Sequence, residues 1–388
     1  SKGHPDSYFS PYSNPRLSDG PPGEYLGDRL AEEAISFIND NKEKTFFLYF
    51  PFYEVHTPLQ AKDSLIKKYT EKKNRLGLKD DVEVDGELRI RHNQSLPVYA
   101  AMVETVDNII GAILQKIKDV GQEDNTIVVF FSDNGGLATK EGSPTSNAPL
   151  KAGKGWLYEG GIREPLIIKS KGQVNPGTLN NTPVISNDFY PTLLQMCNIP
   201  LMPQQHTGGI SITPLFSNKQ INREALYWHY PHYGNQGGFP GSAMRMGKWK
   251  LIQNFEANTI ELYDLSEDIG EKSNLADKEK AIVTKMMTML DEWRKNNHAV
   301  MPSVNDKRVV PIDTVYLAPV LNELRNKWPG NRMINIVFHG HSVPSGYFNT
   351  PQVNTLAAYP NLVFEGVSKT FTTSPVNVIK NRHWWRKC

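Results

Sequence analysis

The chain has 388 residues, of which 39% are hydrophobic and 22% charged, so it can build sizeable cores and is neither a disordered nor a disulfide-stapled chain. Its 43 basic and 41 acidic residues leave a formal charge of +2, which makes no overall case for nucleic acid or a membrane surface as partner. Two cysteines, Cys197 and Cys388, supply neither a disulfide framework nor zinc spacing, and no unbroken apolar run approaches the ~20 residues that span a bilayer. The charge is uneven: residues 301–388 carry 10 Lys/Arg against 4 Asp/Glu, while residues 1–300 sit near −4.

The first 25 or so residues are rich in Pro, Gly and Ser and read as turns. Leu30, Ala34, Ile35 and Ile38 then mark one face of a helix. Thr45–Phe50 is a continuous apolar run, expected to be a strand buried on both faces as in a parallel sheet. Residues 61–95 read as a polar surface excursion. A long helix is expected over Val98–Val120, with Met102, Val106, Ile109, Ile110, Ile113 and Leu114 as its stripe. Asn125–Phe131 and Pro165–Ile168 follow as buried strands, and Asp188–Cys197 as a helix. The period then changes: Tyr227–Tyr230, Lys248–Ile252 and Ile260–Tyr263 suggest a small antiparallel sheet, with a helix over Lys278–Trp293 against it. A linker over 298–312 precedes a helix at Leu317–Trp328, a strand at Ile334–Phe338, and Gly340-His341-Ser342. The alternation of strands and helices predicts an α/β fold with a smaller antiparallel sheet subdomain and then a partial second α/β segment.

Ligands of open α/β sheets bind at the carboxyl ends of strands. Three such ends here carry polar residues: Glu54-Val55-His56-Thr57-Pro58, Ser132-Asp133-Asn134-Gly135-Gly136, and the loop Gly153-Lys154-Gly155 through Glu159-Gly160-Gly161-Ile162-Arg163-Glu164. Asp133 and Asn134 offer adjacent oxygen donors suited to a hard cation, or else an Asx turn. Lys154 between glycines can approach an anion, although an isolated loop lysine is commonly solvated. His56 is placed to protonate a leaving oxygen, or is structural. His229 and His232, in Trp-His-Tyr-Pro-His-Tyr, are candidates for the rim of a substrate site, or ordinary hydrogen-bonded histidines.

Taken together, FFLYFPFYEVHTPLQA, TIVVFFSDNGG and LKAGKGWLYEGGIREPLIIKSKG resemble the formylglycine-dependent sulfatases, and the resemblance runs from about residue 10 to 303. It implies an alkaline-phosphatase-like core over residues 1–215 and a sulfatase C-terminal subdomain over 216–303. It also implies Ca²⁺ held by Asp133 and Asn134, and a sulfate contacted by His56 and Lys154. His229 and His232 would then bind substrate, a sulfated carbohydrate or other sulfate ester. The family's export implies a periplasmic or secreted protein, and neither nucleic acid nor membrane is an expected partner.

The pattern departs from the family at the nucleophile. The C/S-x-P-S-R motif that becomes formylglycine is absent: Ser13-Asn14-Pro15-Arg16 lacks the serine before arginine, and Cys197 is expected at a helix end in an apolar sequence context. The paired aspartates that complete the family's Ca²⁺ site are also missing. The expectation is a chain that begins midway through a sulfatase domain and is inert by itself. The alternative is a non-catalytic sulfated-glycan-binding protein, and a phosphate-ester hydrolase of the same superfamily ranks below both. Met333–Gly346 resembles the first block of GDSL/SGNH hydrolases, with Ser342 as candidate nucleophile of a truncated segment over 304–388. Downstream of Ser342 there is no Asp and only one His, His383, so a triad is not completed there.

Overall fold

The structure, a computed structural model, describes residues 7–12, 14, 17–85 and 88–302, together with Arg325 and the backbone of four short strands in the carboxyl-terminal unit. The chain divides into two compact units, one comprising 5–13 and 17–302, the other mainly 303–388.

In the larger unit three helices pack together first. Helix α1 (Leu26–Asp40) buries Leu26, Ala31, Ala34 and Ile38, spaced at helical intervals. Helix α3 (Pro97–Asp119) starts with proline at its first position, where no intrahelical donor is lost. Helix α3 buries Ala101, Met102, Thr105, Ile109 and Ile117 and packs against both α1 and α2 (Asp63–Arg75). By length and mean hydropathy α3 is also apolar enough to cross a bilayer, although charged and polar residues interrupt its apolar run. Tyr8 and Tyr25, both almost fully buried and stacked at 5.7 Å, close this core. The excursion over 61–95 contains α2 and a hairpin of β1 (Val82–Asp85) with β2 (Leu88–Arg91).

Strands β3 (Val128–Phe131) and β4 (Leu166–Lys169) pair antiparallel, with Val128 opposite Lys169 and Phe131 opposite Leu166. Phe131 meets Phe189 edge-on at 4.8 Å, which fixes helix α5 (Phe189–Met196) against this pair. The expected doubly buried strand at Thr45–Phe50 is not observed. That run is extended but joins no ladder among the described residues, and Phe47 and Tyr49 are 79% and 77% exposed. Apolar side chains alone do not make a strand; the ladder needs a neighbouring backbone to take its N–H and C=O groups.

Four antiparallel strands form the second layer in the order β5 (Leu226–Tyr230), β6 (Gly241–Met246), β7 (Trp249–Asn254), β8 (Thr259–Asp264). Helix α6 (Lys280–Asn296) covers one face through Met286 and Leu290, which meet Met244, Leu251 and Leu262 in a fully buried cluster. The opposite face packs Ala243, Ile252 and Tyr263 on Leu157 and Tyr158. The sheet is therefore buried on both sides, and one of those sides is the loop that carries Lys154.

In the smaller unit, β9 (Ile334–His339) pairs in parallel with β12 (Val376–Asn381), and β10 (Tyr347–Asn349) pairs with β11 (Gln352–Val353). The expected helix at Leu317–Trp328, apart from Arg325, and Ser342 with its flanking turn lie outside the described residues.

Candidate functional site

Strand β3 delivers Ser132, Asp133 and Asn134 at its carboxyl end because the β-branched and aromatic run that precedes them keeps the chain extended. The two glycines that follow let the loop touch a second loop backbone to backbone. The Gly135 N–H donates to the Gly161 carbonyl at 3.1 Å, and a Cβ on Gly135 would lie 1.8 Å from the Gly160 oxygen. Only glycine permits that approach. The Lys154 N–H in turn donates to the Gly136 carbonyl at 3.1 Å. Asn147 bolts the two loops together: its Oδ1 accepts from Gly136 N–H, and its Nδ2 donates to the carbonyls of Gly136 and Ala152.

Asp133, Asn134 and Lys154 consequently line one open cavity of about 1510 Å³, joined there by Glu164, Arg163 and His229. The Asn134 amide donates to the Gly135 carbonyl at 3.0 Å, which fixes the side chain. Glu164 is pushed up to about 7, first by burial and then by the charge of Asp133, with a Ser132 hydrogen bond opposing. Its Oε1 is buried without a hydrogen-bond partner among the described residues. Two carboxylates and an amide oxygen at one strand end match the oxygen donors a hard cation takes, and such a cation would relieve the Asp133–Glu164 repulsion. Three such donors are fewer than the ~6–8 oxygens that Ca²⁺ takes. Among the described residues no group of three or more His, Cys, Asp or Glu is arranged to hold a metal.

The histidines are distributed differently from expectation. His56 lies on the 53–57 segment, which Tyr8 anchors by donating from its hydroxyl to the carbonyls of Tyr53 (2.6 Å) and His56 (3.0 Å). His56 is not among the residues lining the cavity; its Nδ1 is 2.9 Å from the Thr57 carbonyl. His229 does reach the cavity, but both its ring nitrogens are engaged, Nδ1 with Ser242 Oγ at 2.7 Å and Nε2 with the Val300 carbonyl at 2.9 Å. As placed, His229 ties β5 to the segment after α6. His232 is exposed, rests on the Tyr230 ring at 4.2 Å and does not line the cavity.

A buried ion cluster beneath the loop was not expected from sequence. Lys250, fully buried on β7, lies 2.9 Å from Glu159 Oε1 and 2.8 Å from Glu271 Oε1. Arg245 on β6 reaches Glu159 Oε2 at 3.4 Å. The only sequence signal is a lysine inside Trp249-Lys250-Leu251-Ile252, an otherwise apolar strand.

The two packed layers make a mixed α/β protein in which Asp133, Asn134, Lys154 and Glu164 line one cavity. A family model described as Sulfatase matches residues 3–199, and one described as N-sulphoglucosamine sulphohydrolase, C-terminal, matches 152–296. The chain belongs to the sulfatase family, and its core is the alkaline-phosphatase-like α/β fold of that family with a C-terminal antiparallel sheet. A sulfatase of Formosa agariphila is 33% identical over 313 residues, covering 74% of this chain and 53% of the relative. Arylsulfatase A of Homo sapiens is 27% identical over 276 residues, covering 63% and 48%. The crystal structure of Ps i-CgsB is 30% identical with a TM-score of 0.59, covering 73% of this chain and 58% of that one. The same protein solved in complex with k-i-k-neocarrahexaose gives 29% and 0.58, covering 72% and 56%. The chain spans about half the length of the curated relatives it matches.

Proposed function

We propose that this chain carries the cation- and anion-holding part of a sulfate-ester hydrolase acting on a sulfated carbohydrate. The observation that supports it is the joining of Asp133, Asn134 and Lys154 around one cavity by glycine-to-glycine loop contact. Membership of the sulfatase family supports the reaction class, and the oligosaccharide complex of a 29% identical neighbour supports a carbohydrate substrate.

In this reading Asp133 and Asn134 contribute oxygens to Ca²⁺, which supplies charge stabilisation at the transferring sulfuryl group when bound. Lys154 holds a sulfate oxygen, an interaction that strengthens as charge develops on it. His56 protonates the departing sugar oxygen, which requires the 53–57 segment to meet the cavity in the working enzyme. The family's formylglycine arises from a C/S-x-P-S-R motif that these 388 residues do not contain, so in this reading the chain alone releases no sulfate. The proposed location is periplasmic or extracellular.

The test is titration of the chain with a sulfated oligosaccharide and its desulfated counterpart in the presence of Ca²⁺, alongside assay of sulfate release. Preferential binding of the sulfated form without turnover is expected. Turnover is expected only when a segment with a C/S-x-P-S-R motif is joined to the chain. Equal affinity for both oligosaccharides refutes the anion site. An upstream sequence lacking the motif leaves the sulfated-glycan-binding protein as the better reading.

A further inference from the structure

The loop that carries Lys154 rests on the antiparallel sheet through charges with almost no access to solvent. Lys250 is 0% exposed, Glu271 0% and Glu159 2%. Two carboxylates share one ammonium: Lys250 lies 2.9 Å from Glu159 Oε1 and 2.8 Å from Glu271 Oε1. Glu271 also accepts the Glu159 N–H through Oε2 at 2.7 Å, so it grips the loop by backbone as well as by charge. It does so from a left-handed backbone with φ 51°, a costly conformation for a residue other than glycine. Arg245 and Arg163 approach the other oxygen of Glu159 at 3.4 and 3.6 Å. Burial presses the Glu271 carboxyl upward, and Lys250 opposes that shift.

Lys154 lies five positions before Glu159 on the same loop, which closes on itself through Gly160 N–H to the Lys151 carbonyl at 2.9 Å. A buried carboxylate without its cation is strongly unfavourable, so loss of Lys250 favours any arrangement that returns Glu159 and Glu271 to solvent. Of the loop's own cations, Arg163 lies 3.6 Å from Glu159 Oε2 and Lys151 donates to the Glu271 carbonyl at 3.3 Å.

We propose that Lys250 is a positioning residue for Lys154. By neutralising Glu159 and Glu271 inside the seam, it keeps the loop seated on the sheet and so keeps Lys154 in register with Asp133 and Asn134. The C-terminal sheet is thus a working part of the anion site. The inference rests on the reading of Lys154 as an anion-holding residue, and it assigns the task to a side chain that never touches substrate.

The experiment compares wild type, Lys250→Met and the triple variant Lys250→Met/Glu159→Gln/Glu271→Gln. One readout is hydrogen exchange over peptides 150–163, with α3 as internal reference. The other is affinity for inorganic sulfate with Ca²⁺ present. In Lys250→Met, exchange in 150–163 rises and sulfate affinity falls, each about tenfold, the scale of coupling between contacting groups. The triple variant recovers both to within about threefold, because removing all three charges leaves no uncompensated carboxylate to drive the loop off the sheet. A purely structural lysine predicts no such recovery, since the triple variant lacks the same contacts. Recovery failing, or exchange rising equally in α3, overturns the proposal. Should Lys250→Met not fold, Glu271→Gln and Glu271→Ala carry the same test. Glutamine keeps an acceptor for the Glu159 N–H and stays near wild type; alanine releases 150–163. Equal behaviour of the two overturns the proposal. A wild-type chain that binds no sulfate but shows the exchange pattern refutes the proposed function and leaves the loop-positioning role of Lys250 standing.

Discussion

Replacing Gly135 by alanine tests whether loop contact builds the site. A Cβ there would sit 1.8 Å from the Gly160 oxygen and 2.8 Å from its carbonyl carbon, both backbone atoms that no rotamer change can move aside. The loops must separate by more than an ångström, and the Gly135-to-Gly161 hydrogen bond at 3.1 Å and the Lys154-to-Gly136 bond at 3.1 Å are strained together. Overpacking costs about 1–3 kcal/mol. Two weakened backbone bonds add about 1 kcal/mol each at most. The expected loss is therefore roughly 3 kcal/mol, accompanied by weaker sulfate binding, because Lys154 moves with its loop. Gly111→Ala is the matched control. That position lies inside α3 with nothing within 4 Å of the added carbon, so it gains about 0.5–1 kcal/mol from helix propensity. Urea unfolding of both variants reads the two signs. A Gly135→Ala protein within 0.5 kcal/mol of wild type, with unchanged sulfate affinity, would falsify the loop-contact argument.

Three further expectations follow from named contacts. Asp188, fully buried, accepts Arg223 with both oxygens and takes the N–H groups of Ile185 and Ile210 at 2.9 and 3.0 Å. Asp188→Ala strands the arginine and costs about 3–5 kcal/mol in equilibrium unfolding; a loss under about 1 kcal/mol contradicts this. Lys73, then Ser95 and Arg91, hold the Asp80 carboxyl well below its ordinary 3.8. Its contribution is complete above that ordinary value and disappears as pH falls through the lower folded value. Asp80 is 49% exposed, so the contribution is at most about 1 kcal/mol after solvent screening. Asp80→Asn should therefore flatten the acid limb of the stability curve below about pH 4 and leave its shape at pH 7–9 unchanged. Lys154→Met should cut sulfate affinity about tenfold or more while moving the melting temperature little; retention of sulfate binding removes Lys154 from the site.

Helices α1, α3 and α6 were readable because each is specified by periodic apolar residues along a short stretch of chain. Three of the four strands of the antiparallel sheet announced themselves through aromatic and branched residues. Strand β6 did not, because Gly241-Ser242-Ala243 has low strand propensity. Those residues are small because they are fully buried there, and Ser242 meets His229 and Arg294. Thr45–Phe50 misled in the other direction: its apolar run reads as a buried strand, but a strand is a property of two backbones. For the site, Asp133, Asn134 and Lys154 were visible as polar residues in glycine-flanked loops after or before strands, and the structure joins them. His56 and His229 looked equally eligible; His56 is not among the residues lining the cavity, and both ring nitrogens of His229 are engaged.

By itself the sequence determined the family, the helical faces and the turn-forming glycines, each written in a short stretch of chain, and it marked Asp133, Asn134 and Lys154 as candidates. Tertiary structure alone decided which of those groups share a cavity and what holds them there. Lys250 and Glu159 are 91 positions apart, and the Glu159 N–H and Glu271 are 112 apart. No local pattern specifies such pairs; burial in one seam does, because each charge is tolerable there only beside the others.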